Sequence, residues 1–170
     1  MERTVIPLRE RKFDLIFMFF FIINIFFITY IVDFEQLAIP TVQGFTYPIW
    51  PPKIFVDLVH WYGGNFDPVL MARPVWWKMT IWIDVLIFGP FYIAALYAFI
   101  RGREWIRIPA FIASSMLITN VIIILGEEVC GAHATPHLPL VLALNLPWLL
   151  FPIGLIVRMA LSEHPFTRQK

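Results

Sequence analysis

The 170-residue chain is 59% hydrophobic and 17% aromatic with only 15% charged residues, whereas soluble domains run at roughly 45–50% apolar and 25% charged; a water-soluble globule and a disordered chain are both excluded. A net charge of +1 with no long basic block argues against a nucleic-acid surface, and the single Cys130 forbids an intrachain disulfide framework. One membrane domain over residues 1–170 is expected.

Crossing a bilayer takes about 20 mostly apolar residues. Four such stretches are legible, near 13–33, 79–100, 108–126 and 138–158, which predicts an all-α bundle of four transmembrane helices. The first apolar run, Leu15 to Val32, exceeds the ~7–15-residue core of a cleaved signal, and no Ala-x-Ala-like site follows, so it reads as a retained helix. Asp14, just after Arg11-Lys12, reads as a solvated residue near the interface. Asn24 and Thr29 have the chemistry of interhelical hydrogen-bond partners. Asp33 closes the predicted helix, where a charge at the interface is cheap and a solvated or capping role is ordinary.

The connection from Phe34 to Trp77 is rich in aromatic residues and proline, a composition suited to the headgroup layer. Within it Ile54, Leu58, Trp61 and Tyr62 recur at helical spacing, and Lys53 and Asp57 form an i,i+4 pair, predicting a short amphipathic helix that lies over the bundle mouth as a lid. His60 on this lid and His164 in the tail read as surface residues.

Ionisable groups inside spans cost about 2.5–3.5 kcal/mol each and ask for an explanation. Asp84 is the clearest, about one and a half turns into the second stretch and six residues ahead of Pro90. It is either a carboxylate facing an internal cavity, as general base or counter-ion to an amine, or a structural hydrogen bond to a neighbouring helix. Ser114, Ser115, Thr119 and Asn120 in the third stretch read as helix-to-helix hydrogen-bond partners. Glu127, Glu128, His133 and His137 follow it; without a recognised ligand spacing they read as solvated or hydrogen-bonded rather than as a metal site. In the fourth stretch Asn145, Trp148 and Pro152 share one face. An indole there can stabilise a cation by roughly 2 kcal/mol when desolvated, while the structural reading makes Asn145 helix glue and Trp148 ordinary packing.

Basic residues flank the spans unevenly. Arg3, Arg9, Arg11 and Lys12, then Arg101, Arg103 and Arg107, then Arg168 and Lys170 mark three segments as cytoplasmic, so both termini are expected on that side. No phosphate loop, His-Glu-x-x-His spacing or serine nucleophile elbow is present, and no cofactor is expected.

Several segments resemble the EXPERA family across most of the chain. They are Val32-Asp33-Phe34-Glu35-Gln36-Leu37, Trp61-Tyr62 with Phe66-Asp67-Pro68, and Pro74-Val75-Trp76-Trp77-Lys78. Pro90-Phe91-Tyr92, Tyr97-Ala98-Phe99 and Trp105-Ile106-Arg107-Ile108-Pro109-Ala110 follow in the family's order, and Asp84 stands where the family keeps a Glu. The resemblance implies four helices around a cavity opening sideways to the membrane, and sterol or cationic amphiphile ligands. It also implies an endoplasmic reticulum location in a eukaryote; a prokaryote would place the protein in its cytoplasmic membrane. Asp33 resembles the amine-binding Asp of the family's receptor members, Asp84 its buried acidic partner, and Asp67 an Asp that looks structural. Asn145, Trp148 and Pro152 are instead similar to the isomerase members. There a protonated group adds a proton to a sterol alkene, a base removes another, and the Trp face stabilises the carbocation between. The His and Glu that those isomerases carry in the first helix are missing near Ile25 to Thr29.

The expected function is therefore binding of a sterol or other terpenoid lipid, with Asp33, Asp84, Asn145, Trp148 and Thr29 at the ligand. The alternative is a delta8-delta7-type isomerase with Asp33, Asp84, Trp148 and Asn145 as catalytic groups. A trafficking or scaffold role, with the acids holding helices together, is a third. Partners would be such a lipid, cationic amphiphilic amines, membrane lipids and a second copy in a homodimer, with no nucleic acid.

Overall fold

The computed structural model describes residues 3–169; Lys170, counted above among the flanking cations, lies outside them. Four helices are long and apolar enough to cross a membrane: α1 (Asp14–Ala38), α4 (Val75–Arg101), α5 (Arg107–Cys130) and α6 (Leu138–Ala160). The connection between α1 and α4 carries α2 (Lys53–Asn65) and α3 (Pro68–Ala72). Strands β1 (Arg3–Val5) and β2 (Thr167–Gln169) pair antiparallel, which puts the two ends of the described chain on one side of the bundle, as an even number of crossings requires.

Two spans depart from regular α-geometry. In α1 the segment Asn24–Asp33 is π-helical, and in α4 so is Asp84–Phe88. Pro90 explains the second: it has no N–H and its ring crowds the carbonyl four residues earlier. The chain widens by one turn and restarts as a new α-helix with Pro90 in its first turn. π-Turns are rare and concentrate at functional sites. Here one ends at Asp33 and the other begins at Asp84.

α1 runs five residues beyond the expected end, so Asp33 does not close the helix but sits within it. α4 begins at Val75 rather than near residue 79, which sets Asp84 nine residues deep. Asp14 is not solvated: it is 1% exposed and bridges the guanidinium groups of Arg11 at 2.6 Å and Arg158 at 2.8 Å. α2 forms as expected with its Lys53–Asp57 pair at 2.7 Å. Its buried face, however, is Val56, Val59 and Gly63, while Ile54, Leu58 and Trp61 stay exposed. The apolar positions of a membrane-surface helix need not all face protein, because lipid accepts the remainder.

The half of the bundle nearest β1 and β2 is solid. Phe20, Phe21, Tyr92 and Phe99 pack there against α5 and α6, with Phe20 stacked on Phe151 at 4.5 Å. Ala98 is fully buried in this core, and Ala94, one turn earlier, packs against it partly buried. In the other half a smaller cluster of Val69, Leu70, Trp77, Ile81 and Val85 joins α3 to α4 and leaves space beside it.

α1 and α4 touch most closely at Gly89, where an added Cβ would lie 2.5 Å from the Tyr30 hydroxyl and 3.0 Å from Thr29 Cγ2. Gly89→Ala is therefore expected to destabilise the protein by about 1–3 kcal/mol through overpacking. Gly126→Ala, with nothing within 4 Å of the new methyl, should be neutral or slightly stabilising. Thermal unfolding of the two variants in one detergent checks this; equal melting temperatures would refute the close approach.

Candidate functional site

A cavity of about 380 Å³ occupies the open half of the bundle, within the 300–1,000 Å³ range of small-molecule sites. Phe27 of α1, Leu58 and Trp61 of α2 and Leu144 of α6 are exposed residues of its wall. The mouth therefore lies among α1, α2 and α6, on the flank of the bundle.

Asp33, Asp84, Asn145 and Trp148 all line this one space. Helix rotation explains how two acids 51 residues apart meet: each lies at a π-turn, and the carboxyl groups come within hydrogen-bonding reach of one another. Two carboxyl groups this close resist ionising together. Thr29 is fully buried beside Asp84 rather than in the cavity wall.

Trp148 is fixed by its ring N–H, which donates to Asn24 Oδ1 at 2.8 Å; Asn24 in turn donates to the Phe20 carbonyl at 2.8 Å. The interhelical role expected of Asn24 is present, and it sets the indole orientation. Asn145 donates to the Val141 carbonyl of its own helix at 2.9 Å. Pro152 faces the packed side of α6, away from the cavity. In α5 the Thr119 hydroxyl donates to the Ser115 backbone carbonyl of the same helix at 3.0 Å rather than to another helix, while Asn120 lines the cavity.

The wall holds three carboxyl groups, those of Asp33, Asp67 and Asp84, and no Lys, Arg or His among the described residues. Trp61, Tyr62, Trp77 and Trp148 add aromatic surface. Burial lifts the Tyr62 hydroxyl to about 12, with Asp67 and Glu128 adding to the shift, and burial also raises Asp67 above the usual carboxylate range. The chemistry of the wall favours a largely apolar molecule with a cationic or hydrogen-bond-donating group.

The segment around α2 is fastened mainly through residues to which the sequence reading assigned no such role. Trp50 donates to the Tyr30 carbonyl at 2.6 Å, and Phe55 packs on Phe27 at 5.9 Å. His60 is not a free surface residue: its Nε2 lies 2.9 Å from Glu35 Oε1. The Arg73 guanidinium holds the same carboxylate at 2.8 and 2.9 Å and also donates to the Ile39 carbonyl. Gln36 donates to Glu35 at 2.6 Å and accepts from Trp77 at 3.1 Å. A helix ending at Asp33 leaves Glu35 and Gln36 in solvent, so the shortened helix hid this network; the polar pair directly after an apolar run was its only trace.

The four residues that follow the third apolar stretch do not form one cluster. Glu127 accepts from the His133 backbone at 2.8 Å and meets its ring at 2.7 Å, whereas Glu128 is 1% exposed and turns to Asp67.

Residues 54–159 match the profile of EXPERA, the EXPanded EBP superfamily. The chain is 32% identical over 165 residues to the Sigma intracellular receptor 2 of Xenopus tropicalis, covering 91% of each chain. It is 34% identical over 127 residues to the proteins of that name from Macaca fascicularis and Homo sapiens, covering 66% of this chain and 72% of theirs.

Proposed function

As the chain belongs to the EXPERA superfamily and is an integral membrane protein with four spans, we propose that it holds a sterol or other terpenoid lipid in its cavity. Asp33 and Asp84 form the polar end, and the same end takes the ammonium of a cationic amphiphile. The observation that carries this reading is the Asp33–Asp84 pair in an apolar wall with no cation beside it. A buried negative charge without a counter-ion is costly, and a ligand's ammonium or hydroxyl offsets that cost. The flank opening gives access from the lipid phase. The chain is one domain with 34–77 as lid, and the basic segments set both termini on the cytoplasmic side. In a eukaryotic cell its membrane is the endoplasmic reticulum.

Mass spectrometry of lipids extracted from the purified protein tests the reading. A sterol or terpenoid enriched over the surrounding membrane, and displaced by a long-chain amine, is expected. Phospholipid in bulk proportions alone would count against it.

A second reading is favoured by the Trp148–Asn24 hydrogen bond, which locks an indole in the wall that also holds the proton-sharing acids. One carboxyl protonates an alkene carbon, the Trp148 face stabilises the cation, and the other carboxylate removes a different proton; the double bond moves and no atom is gained or lost. Gas chromatography of sterols from a yeast strain lacking its own sterol isomerase decides this. Delta8 sterols converted to delta7 by the wild type and not by Asp84→Asn would establish catalysis, whereas unconverted sterols leave the cavity as a binding site.

A further inference from the structure

The cavity has a second pair of acids. Asp67 stands at the α2–α3 corner and lines the wall, and Glu128, near the end of α5, brings its carboxyl into hydrogen-bonding reach of it. Both are buried, Asp67 at 5% and Glu128 at 1% exposure. Asp67 Oδ1 and both Glu128 carboxyl oxygens lack any hydrogen-bond partner among the described residues. Buried polar atoms are normally satisfied, and between two carboxylates only a shared proton can supply the donor. Two carboxyls this close resist double ionisation, so at most one of the pair is charged.

The two pairs lie at different depths. Asp84 is nine residues past Val75, roughly 14 Å along the α4 axis, whereas Asp67 precedes that helix altogether. Between them the wall is mostly apolar and aromatic, with Tyr62 and Leu70 near Asp67 and Ile81 on the way to Asp84. The wall thus carries acids at two depths among apolar and aromatic side chains, and no cation among its described residues.

We infer that the cavity is shaped for an elongated dication, an apolar chain with an ammonium at each end, one on Asp33–Asp84 and the other on Asp67, with Glu128 holding the shared proton of the second pair. Asp67 is the group that touches the ligand, and Glu128 positions it. The inference rests on the ligand-binding reading of Asp33 and Asp84 and adds a second subsite to it.

Binding of dodecylamine and of the α,ω-diamine of equal chain length to the nanodisc-reconstituted protein tests both. The wild type should bind the diamine at least tenfold more tightly than the monoamine. Shortening the diamine to two carbons should abolish that gain, a comparison that needs no variant. Asp67→Asn combined with Glu128→Gln should remove the gain, bringing the diamine down to the affinity of the monoamine, while a cooperative thermal unfolding transition shows that the variant is folded. Glu128→Gln alone should keep it, because the amide replaces the protonated carboxyl as donor. Equal affinities for the two amines in the wild type, or a gain that survives the double variant, would overturn the second subsite and leave the first intact. Failure of both amines to bind would bring down the reading of Asp33 and Asp84 as well.

Discussion

Converting both Asp33 and Asp84 to Asn is expected to weaken binding of a cationic amphiphile on the order of a hundredfold, and binding of a neutral sterol only a few-fold. With one charge and one proton proposed for the pair, Asn at both positions keeps the shape and hydrogen-bond capacity while removing the charge. Losing the carboxylate of a buried, hydrogen-bonded charge pair costs about 2–5 kcal/mol, and about 1.4 kcal/mol is tenfold in affinity. The single variants should be unequal. Asn mimics the protonated member of the pair, so substitution there leaves the charge on its neighbour, whereas substitution of the ionised member removes it. If turnover is found, both single variants should lose it, because proton addition and removal need both members. Titration calorimetry with one amine and one sterol would measure the contrast. An amine affinity of the double variant within threefold of wild type would show that the acids serve only to hold α1 to α4.

Asp14→Ala should cost the most stability. The Asp14 carboxylate is the counter-charge of two guanidinium groups: Arg11, whose side chain is 4% exposed, and Arg158. Arg11 also donates to the carbonyls of Ile6 and Phe99, at 2.9 and 3.1 Å, and Arg158 to Pro165 at 2.9 Å. Removing one member of a buried ionic group leaves charge without compensation, at about 3–5 kcal/mol. For a chain of this size that lowers Tm on the order of 10 °C. Replacing Arg158 should cost less, since Arg11 still pairs with Asp14. Thermal unfolding in detergent separates these cases. A loss below about 1 kcal/mol for Asp14→Ala would place the cluster among solvated surface pairs.

The number and order of the spans were legible because hydropathy is local and additive: some twenty apolar residues in a row commit to a membrane helix whatever their neighbours do. Asp84, Asn145 and Trp148 stood out for the same reason, as polar or cation-stabilising groups in stretches that lipid would otherwise fill, whereas Asp33 was singled out only by the family resemblance. Thr29 was weaker, and the fold puts it behind Asp84 rather than at the cavity. Helix ends were less legible. The α1 sequence turns polar at Asp33, yet Glu35 and Gln36 continue the helix because Arg73, His60 and Trp77 satisfy them from three other places in the chain.

Sequence alone thus determined a four-span membrane bundle and marked which residues lipid would not tolerate. The family resemblance already paired Asp33 with Asp84; only the tertiary structure joined Asp67 to Glu128, Asn24 to Trp148, and Asp14 to Arg11 and Arg158, most of which hydropathy had not marked. The reason is geometric. A side chain's partner depends on the rotation of its helix and on the axial register of helices distant in the chain, and a single π-turn shifts that rotation without changing any hydropathy pattern. Charge sharing is a property of the pair and exists in neither residue alone.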